Sequence, residues 1–148
     1  MADATPPPTK TPWHLWVVGA VSLLWNAVGA TDFTMTQLKN EAYLKALTPD
    51  QLAYLYGFPF WVVAAWATGT WGSLIGSLLL LLRRSLAVIL FLASLIGMVL
   101  TFTHNYVLSD GLKIMGGAGA VIFSAVIFVI GVLLLVYARA MRKRGVLR

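Results

Sequence analysis

Apolar residues along this chain gather into long runs instead of alternating with polar ones. Four stretches, about 13–33, 60–82, 85–108 and 114–138, are almost continuously apolar. Each reaches the roughly 20 residues that a helix needs to cross the hydrocarbon of a bilayer. Lipid offers no hydrogen-bond partner to a bare backbone, so runs of this kind have to be helices. Only Arg83 and Arg84 separate the second run from the third, and Ser109 to Lys113, with a turn signal at Asp110-Gly111, joins the third to the fourth. Short connections make neighbours antiparallel. The predicted fold is therefore all-α: an integral-membrane four-helix up-down bundle.

The one long polar connection, residues 34–57, is patterned. Met35, Leu38, Ala42 and Ala46 or Leu47 recur at helical spacing among Gln37, Lys39, Asn40, Glu41 and Lys45, which predicts an amphipathic helix lying in the interface. Thr48-Pro49-Asp50-Gln51 then reads as a helix start, with a hydroxyl N-cap, proline in the first turn and a capping-box glutamine. The second helix of this hairpin carries Leu52, Leu55 and Tyr56 on one side until Gly57 and Pro59 end it, and it is expected to lid the bundle. The ends look different. Residues 1–12, with Pro6-Pro7-Pro8, are expected to be a disordered tail without the basic start of a signal peptide, and 139–148 a basic tail.

Composition sharpens this picture. Of the 148 residues 59% are hydrophobic and 11% charged, a membrane composition. The net charge of +6 does not argue for nucleic acid, because the bases flank the apolar runs and serve as lipid-facing anchors. Lys10, Arg83, Arg84, Arg139, Arg142, Lys143, Arg144 and Arg148 fall on one side of the predicted bundle, and Lys39, Lys45 and Lys113 on the other. The positive-inside rule then places both termini in the cytoplasm and the hairpin outside it. Cysteine is absent, which excludes disulfides and thiolate chemistry.

Helices in lipid associate through small residues and interhelical hydrogen bonds. In the second span Thr68, Gly72 and Gly76 form one small stripe, and Ala65, Gly69, Ser73 and Ser77 the adjacent one. The fourth offers Gly117, Ala120, Ser124 and Gly131 along a similar line. Two uses stay open, contacts inside the chain or association with a second copy or a larger membrane complex. Asn26, inside the first run, is read as a packing residue that bonds a neighbouring helix, with ligand contact as the alternative. Asp32, at the far end of that run, is either solvated, a helix cap or part of a site. Asn26, Asp32, Tyr56, His104 and Asn105 all fall near the outer end and form the candidate polar pocket, where a histidine near a carboxylate could shuttle a proton or sense pH. His14 and His104 fall at opposite ends, so no metal site is expected, and no cofactor motif is present. No carboxylate lies mid-span, where a proton-coupled carrier needs one, and no nucleophile–base set is present. The chain is not expected to be an enzyme.

Trp25-Asn26-x-x-Gly29-x-x-Asp32-Phe33, Asn40-Glu41-Ala42-Tyr43 and Tyr54-x-Tyr56-Gly57-Phe58-Pro59-x-Trp61 together resemble a group of small bacterial inner-membrane proteins with four predicted helices. Their function is unassigned and they are sometimes loosely catalogued as sugar-transporter-like. The resemblance runs from about Leu15 to Asp110. It implies a bacterial inner membrane and lends weight to solute handling, and it supplies no catalytic or binding residues. The chain has neither the internal repeat nor the paired prolines of small sugar-conducting half-transporters. The expected function is that of a non-catalytic accessory or structural membrane component, the alternative being an oligomeric small-solute transporter.

Overall fold

The computed structural model describes Pro7 and residues 9–148, so most of the tail expected to be disordered lies outside the described residues. Among these residues there is no strand, and the chain is an all-helical bundle. Its four long apolar helices are α1 (Trp13–Gln37), α4 (Phe60–Leu81), α5 (Leu86–Thr103) and α7 (Gly117–Lys143). Between α1 and α4 lie the one-turn helix α2 (Glu41–Leu44) and α3 (Pro49–Tyr56), and before α7 the one-turn helix α6 (Gly111–Ile114). Each of the four long helices, α5 taken together with the turn that follows it, is long and apolar enough to cross a membrane.

The boundaries follow from local chemistry. Both α1 and α4 begin directly after a proline, Pro12 and Pro59, because the residue ahead of a proline is barred from helical geometry. Helix α1 runs past the predicted Phe33 to Gln37. There the hydroxyls of Thr34 and Thr36 donate to the carbonyls of Ala30 and Asp32 within the same helix, each at 2.7 Å, so the polar residues are accommodated without ending it. The first amphipathic helix of the predicted hairpin is consequently split, its front half belonging to α1 and only one turn remaining as α2. Helix α3 starts on the predicted capping box: Thr48 Oγ1 accepts from the Gln51 backbone N–H and the Gln51 side chain accepts from that of Thr48. Gly116 and Gly117, at φ 121° and 63°, break α6 from α7 in a backbone conformation that suits glycine.

Packing is tightest between α4 and α5. Ala65, Gly69, Ser73, Gly76, Ser77 and Leu80 make the buried line of α4, and Ala87, Phe91, Ser94, Gly97 and Thr101 that of α5. A Cβ placed on Gly69, Gly72 or Gly76 would meet Ser94, Leu90, Met98 or Phe91 of α5, so the small stripe of α4 is used inside the chain. Ser94 Oγ donates to the Gly69 carbonyl across this interface at 2.6 Å. Helix α1 packs on the other side of α4 along Leu15, Gly19, Ser22, Asn26 and Ala30.

The apolar core sits at the basic end, where Leu15, Leu80, Ala87, Val88, Phe91, Leu134, Leu135, Ala138 and Met141 cluster. Val146 and Leu147, 3% and 4% exposed, belong to the same cluster. The segment 139–148 is therefore not a loose tail: α7 continues to Lys143 and the last residues fold back. Arg148 N–H donates to the Arg83 carbonyl (2.8 Å) and Ser85 N–H to that of Arg148 (2.7 Å), pinning the α4–α5 turn. At the other end of the bundle α7 stands apart, and its buried residues begin only at Leu134.

Candidate functional site

Because α7 packs at the basic end and diverges beyond it, a cavity of about 570 Å³ opens among the four long helices. That volume falls within the roughly 300–1,000 Å³ of small-molecule sites. Its floor is Phe91 and Leu134. Its walls come from Asn26 and Gly29 of α1, Trp66 and Thr70 of α4, Met98 and Thr101 of α5, and Phe123, Ile127 and Ile130 of α7. Tyr43, Leu47, Tyr54, Leu55 and Phe58, from α2, α3 and the connections beside them, close the end away from the basic residues.

Halfway along the wall, Asn26 is 8% exposed and spends its amide hydrogens on α4, donating to the Ser73 carbonyl (3.2 Å) and Ser77 Oγ (2.9 Å). It fastens α1 to α4, as the packing reading expects. Across the cavity Tyr106 shares a hydrogen bond with Ser124 Oγ (2.6 Å) and donates to the Ala120 carbonyl (3.1 Å), tying the turn after α5 to α7. Ala120 and Ser124 thus line the cavity and at the same time hold the turn after α5, whereas nothing lies within 4 Å of the position a Cβ on Gly117 would take. Replacing Asn26 with leucine is expected to destabilise the bundle by about 1 kcal/mol, the usual scale of one interhelical hydrogen bond in a membrane. Thermal unfolding in detergent measures it, with Ser77→Ala as the partner in a double-mutant cycle.

At the lid the pattern changes from packing to side-chain contacts. Asp32 is exposed, lines the cavity mouth and accepts a hydrogen bond from the Tyr43 hydroxyl at 2.9 Å. Tyr54 reaches Asn105 Oδ1 (2.9 Å) and Ser109 Oγ (2.7 Å), and Gln51 Nε2 donates to the Ile114 carbonyl (3.1 Å). Gly111 is buried directly beneath the Tyr54 hydroxyl, where no larger residue fits. Burial pushes the Tyr43 phenol above its ordinary value, and both the hydrogen bond to Asp32 and that group's charge act in the same direction. Burial likewise raises Tyr54, against the opposing hydrogen bond from Ser109.

Of the five residues read as a polar pocket, Asn26, Asp32 and Asn105 line this cavity. Tyr56 does not: it is 42% exposed, with Lys39 Nζ 4.7 Å above its ring. On a helix Tyr54 and Tyr56 point about 200° apart, so only one can face inward. It is Tyr54, which shares the face of Gln51, Leu55 and Phe58, and this i, i+3, i+4, i+7 spacing is the signal that selects it. His104 lies beside the cavity, boxed by the rings of Tyr54, Phe58 and Trp61 with centroids 5.1–6.4 Å away. Its Nδ1 stands 3.4 Å from Asn105 Oδ1. The outer end of α5 winds into a π-helical turn, His104–Leu108; Thr101 and Asn105 keep a common face toward the cavity, with His104 beside it. Asp32 and His104 accordingly have separate partners. His14, at the opposite end, pairs with the Tyr137 hydroxyl at 2.5 Å.

A pH dependence follows from Tyr43. Its proton is held more tightly in the docked lid than in a free chain. The stabilisation this gives is complete below the ordinary tyrosine value of 10.0 and is lost as pH rises through the elevated one. A phenolate absorbance titration is expected to show a component above that of free tyrosine, which Tyr43→Phe removes and Asp32→Asn lowers.

Compared with known protein families, curated proteins and solved structures, the chain matches none.

Proposed function

We propose that the protein is a non-catalytic, multi-pass component of a bacterial inner membrane that acts by association, as an accessory or structural subunit. Both termini and the basic end face the cytoplasm in this reading, and the α2–α3 lid faces outward; the distribution of lysine and arginine supports that orientation. The observation that carries it is the use made of the intramembrane polar side chains. Asn26, Ser94 and Tyr106 each bond a neighbouring segment, so they hold helices together. The stripe Gly69, Gly72 and Gly76 is filled by α5. Gly117 and Gly119, with nothing within 4 Å of their Cβ positions, leave the start of α7 as the small-residue surface open to a second copy or a larger complex.

Purification in mild detergent with mass analysis tests this. The expected result is a stoichiometric partner or a dimer that Gly119→Leu releases; a monomer carrying no protein partner, unchanged by the substitution, contradicts it. One observation favours a second reading, small-solute transport by an oligomer: Asn26, Asp32 and Asn105 line one cavity. Under that reading Asp32→Asn abolishes uptake, and under the first it leaves assembly intact.

A further inference from the structure

The cavity beneath the lid is lined mainly by apolar side chains, and along its length most of the polar groups are already engaged; the Asn26 side-chain carbonyl oxygen, the Asn105 amide and one oxygen of Asp32 are lining groups without a hydrogen bond among the described residues. Both amide hydrogens of Asn26 are bonded to α4, the Ser94 hydroxyl to Gly69, that of Thr101 to the Gly97 carbonyl, and Tyr106 to Ser124. A sugar or other polyhydroxylated solute placed there would exchange most of its water for these few groups, and each hydroxyl left without a partner is costly. An apolar space does not hold ordered water either. Left empty, its lining forfeits dispersion contacts along its whole length. In a bilayer the nearest filler is hydrocarbon.

The geometry also gives that filler a way in and a place for its head. In the ring α1–α4–α5–α7, the seam between α1 and α7 is the loosest; the two helices meet there through the side chains of Trp25 and Phe123, centroids 6.4 Å apart, and of His14 and Tyr137 near the basic end. Among the described residues Asp32 is the only carboxylate on the cavity wall, and it stands at the lid end. Tyr43 occupies one of its oxygens, and among the described residues nothing bonds the other. A carboxylate there attracts a cationic donor and repels a purely anionic head group.

We propose that the cavity binds one acyl chain of an amine-headed phospholipid, entering between α1 and α7, with the lipid ammonium group held by Asp32. This stands independently of the accessory-subunit reading, since a lipid can occupy the cavity whether or not the protein has a protein partner.

Native mass spectrometry of the purified protein, titrated separately with phosphatidylethanolamine and phosphatidylglycerol, is the test. The expected result is one retained phosphatidylethanolamine per chain, held in preference to phosphatidylglycerol. Asp32→Asn is expected to weaken it roughly tenfold, the scale of one charged hydrogen bond, and to leave phosphatidylglycerol unchanged. Two substitutions on opposite walls fill the space. Gly29→Leu grows inward from a position whose Cβ meets only a Thr70 methyl, at 3.7 Å, and Ile127→Trp projects from α7; each abolishes retention. Ile122→Trp, on the 65% exposed side of α7, does not. Helicity by circular dichroism identifies a filled variant that has failed to fold, and the second variant then decides. Retention of the lipid by a folded filled variant, equal affinity for both head groups, or no lipid retained by the unaltered protein overturns the proposal.

Discussion

Replacing Gly97 with leucine is expected to prevent α4 and α5 from packing and so to dismantle the bundle. A Cβ on Gly97 would lie 2.5 Å from the Ala65 carbonyl oxygen and 3.0 Å from the Gly69 nitrogen. Both obstacles are backbone, so no rotamer change relieves them and the helices have to separate. Overpacking a tight core costs about 1–3 kcal/mol where side chains can shift, and here they cannot, so the loss should exceed that range. It would also pull the Ser94 hydroxyl from the Gly69 carbonyl. The comparison that isolates the effect is Gly69→Ala, whose Cβ meets its nearest atom, the Met98 nitrogen, at an ordinary 3.5 Å. Thermal unfolding in detergent should show a near-native midpoint for Gly69→Ala and no cooperative transition for Gly97→Leu. Similar midpoints for the two would mean that α4 and α5 are not in this register.

The second large effect is expected from the last residues. Leu147→Ala should cost about 2–4 kcal/mol, within the range for truncating a buried leucine. Its side chain is 4% exposed and packed with Val146, Met141 and Ala138 against the floor of the bundle. The loss should spread to the α4–α5 turn. There Arg83 sits at φ 55°, a left-handed conformation that costs a non-glycine residue about 1–2 kcal/mol. What holds it is the pair of backbone hydrogen bonds with Arg148 and the bond from Arg83 Nη1 to Thr11 Oγ1 at 2.8 Å. Unfolding free energies for Leu147→Ala and for the neighbouring exposed Arg144→Ala should differ by that amount, and equal values would show the return segment to be undocked.

These two sites differ in how far the sequence announced them. Close packing through glycine was legible, because Gly69, Gly72 and Gly76 recur at helical spacing on one face. Their partner was not, since a stripe of small residues specifies closeness without saying to what. Gly97, whose Cβ position meets the α4 backbone, stands at helical spacing from Ala93, Ser94 and Thr101, but that line carries no second glycine and signals close packing less plainly than the stripe of α4. The four spans were legible from length and hydropathy, and the start of α3 from Thr48 and Gln51. The return of Val146 and Leu147 was hidden because two apolar residues among arginines carry no periodicity. At the lid, Asn26 and Asp32 drew attention as polar residues in or beside an apolar run. Tyr43 and Tyr54 did not, because an aromatic residue in an interfacial helix is ordinary there. The surroundings of His104 depend on where the rings of Tyr54, Phe58 and Trp61 dock, which spacing within α5 cannot anticipate.

The arrangement of basic core and lidded cavity rests on four crossings of the bilayer with the α2–α3 lid on one side and the end of α7 on the other. The chain contains no cysteine, so single cysteines can be introduced at the exposed Glu41 and Arg142 without background. The decisive measurement is labelling of Glu41→Cys and Arg142→Cys in intact cells with a membrane-impermeant maleimide. Label on Glu41→Cys alone, with Arg142→Cys reacting only after permeabilisation, is the predicted result; both positions labelled alike, or Arg142→Cys alone labelled, would contradict it.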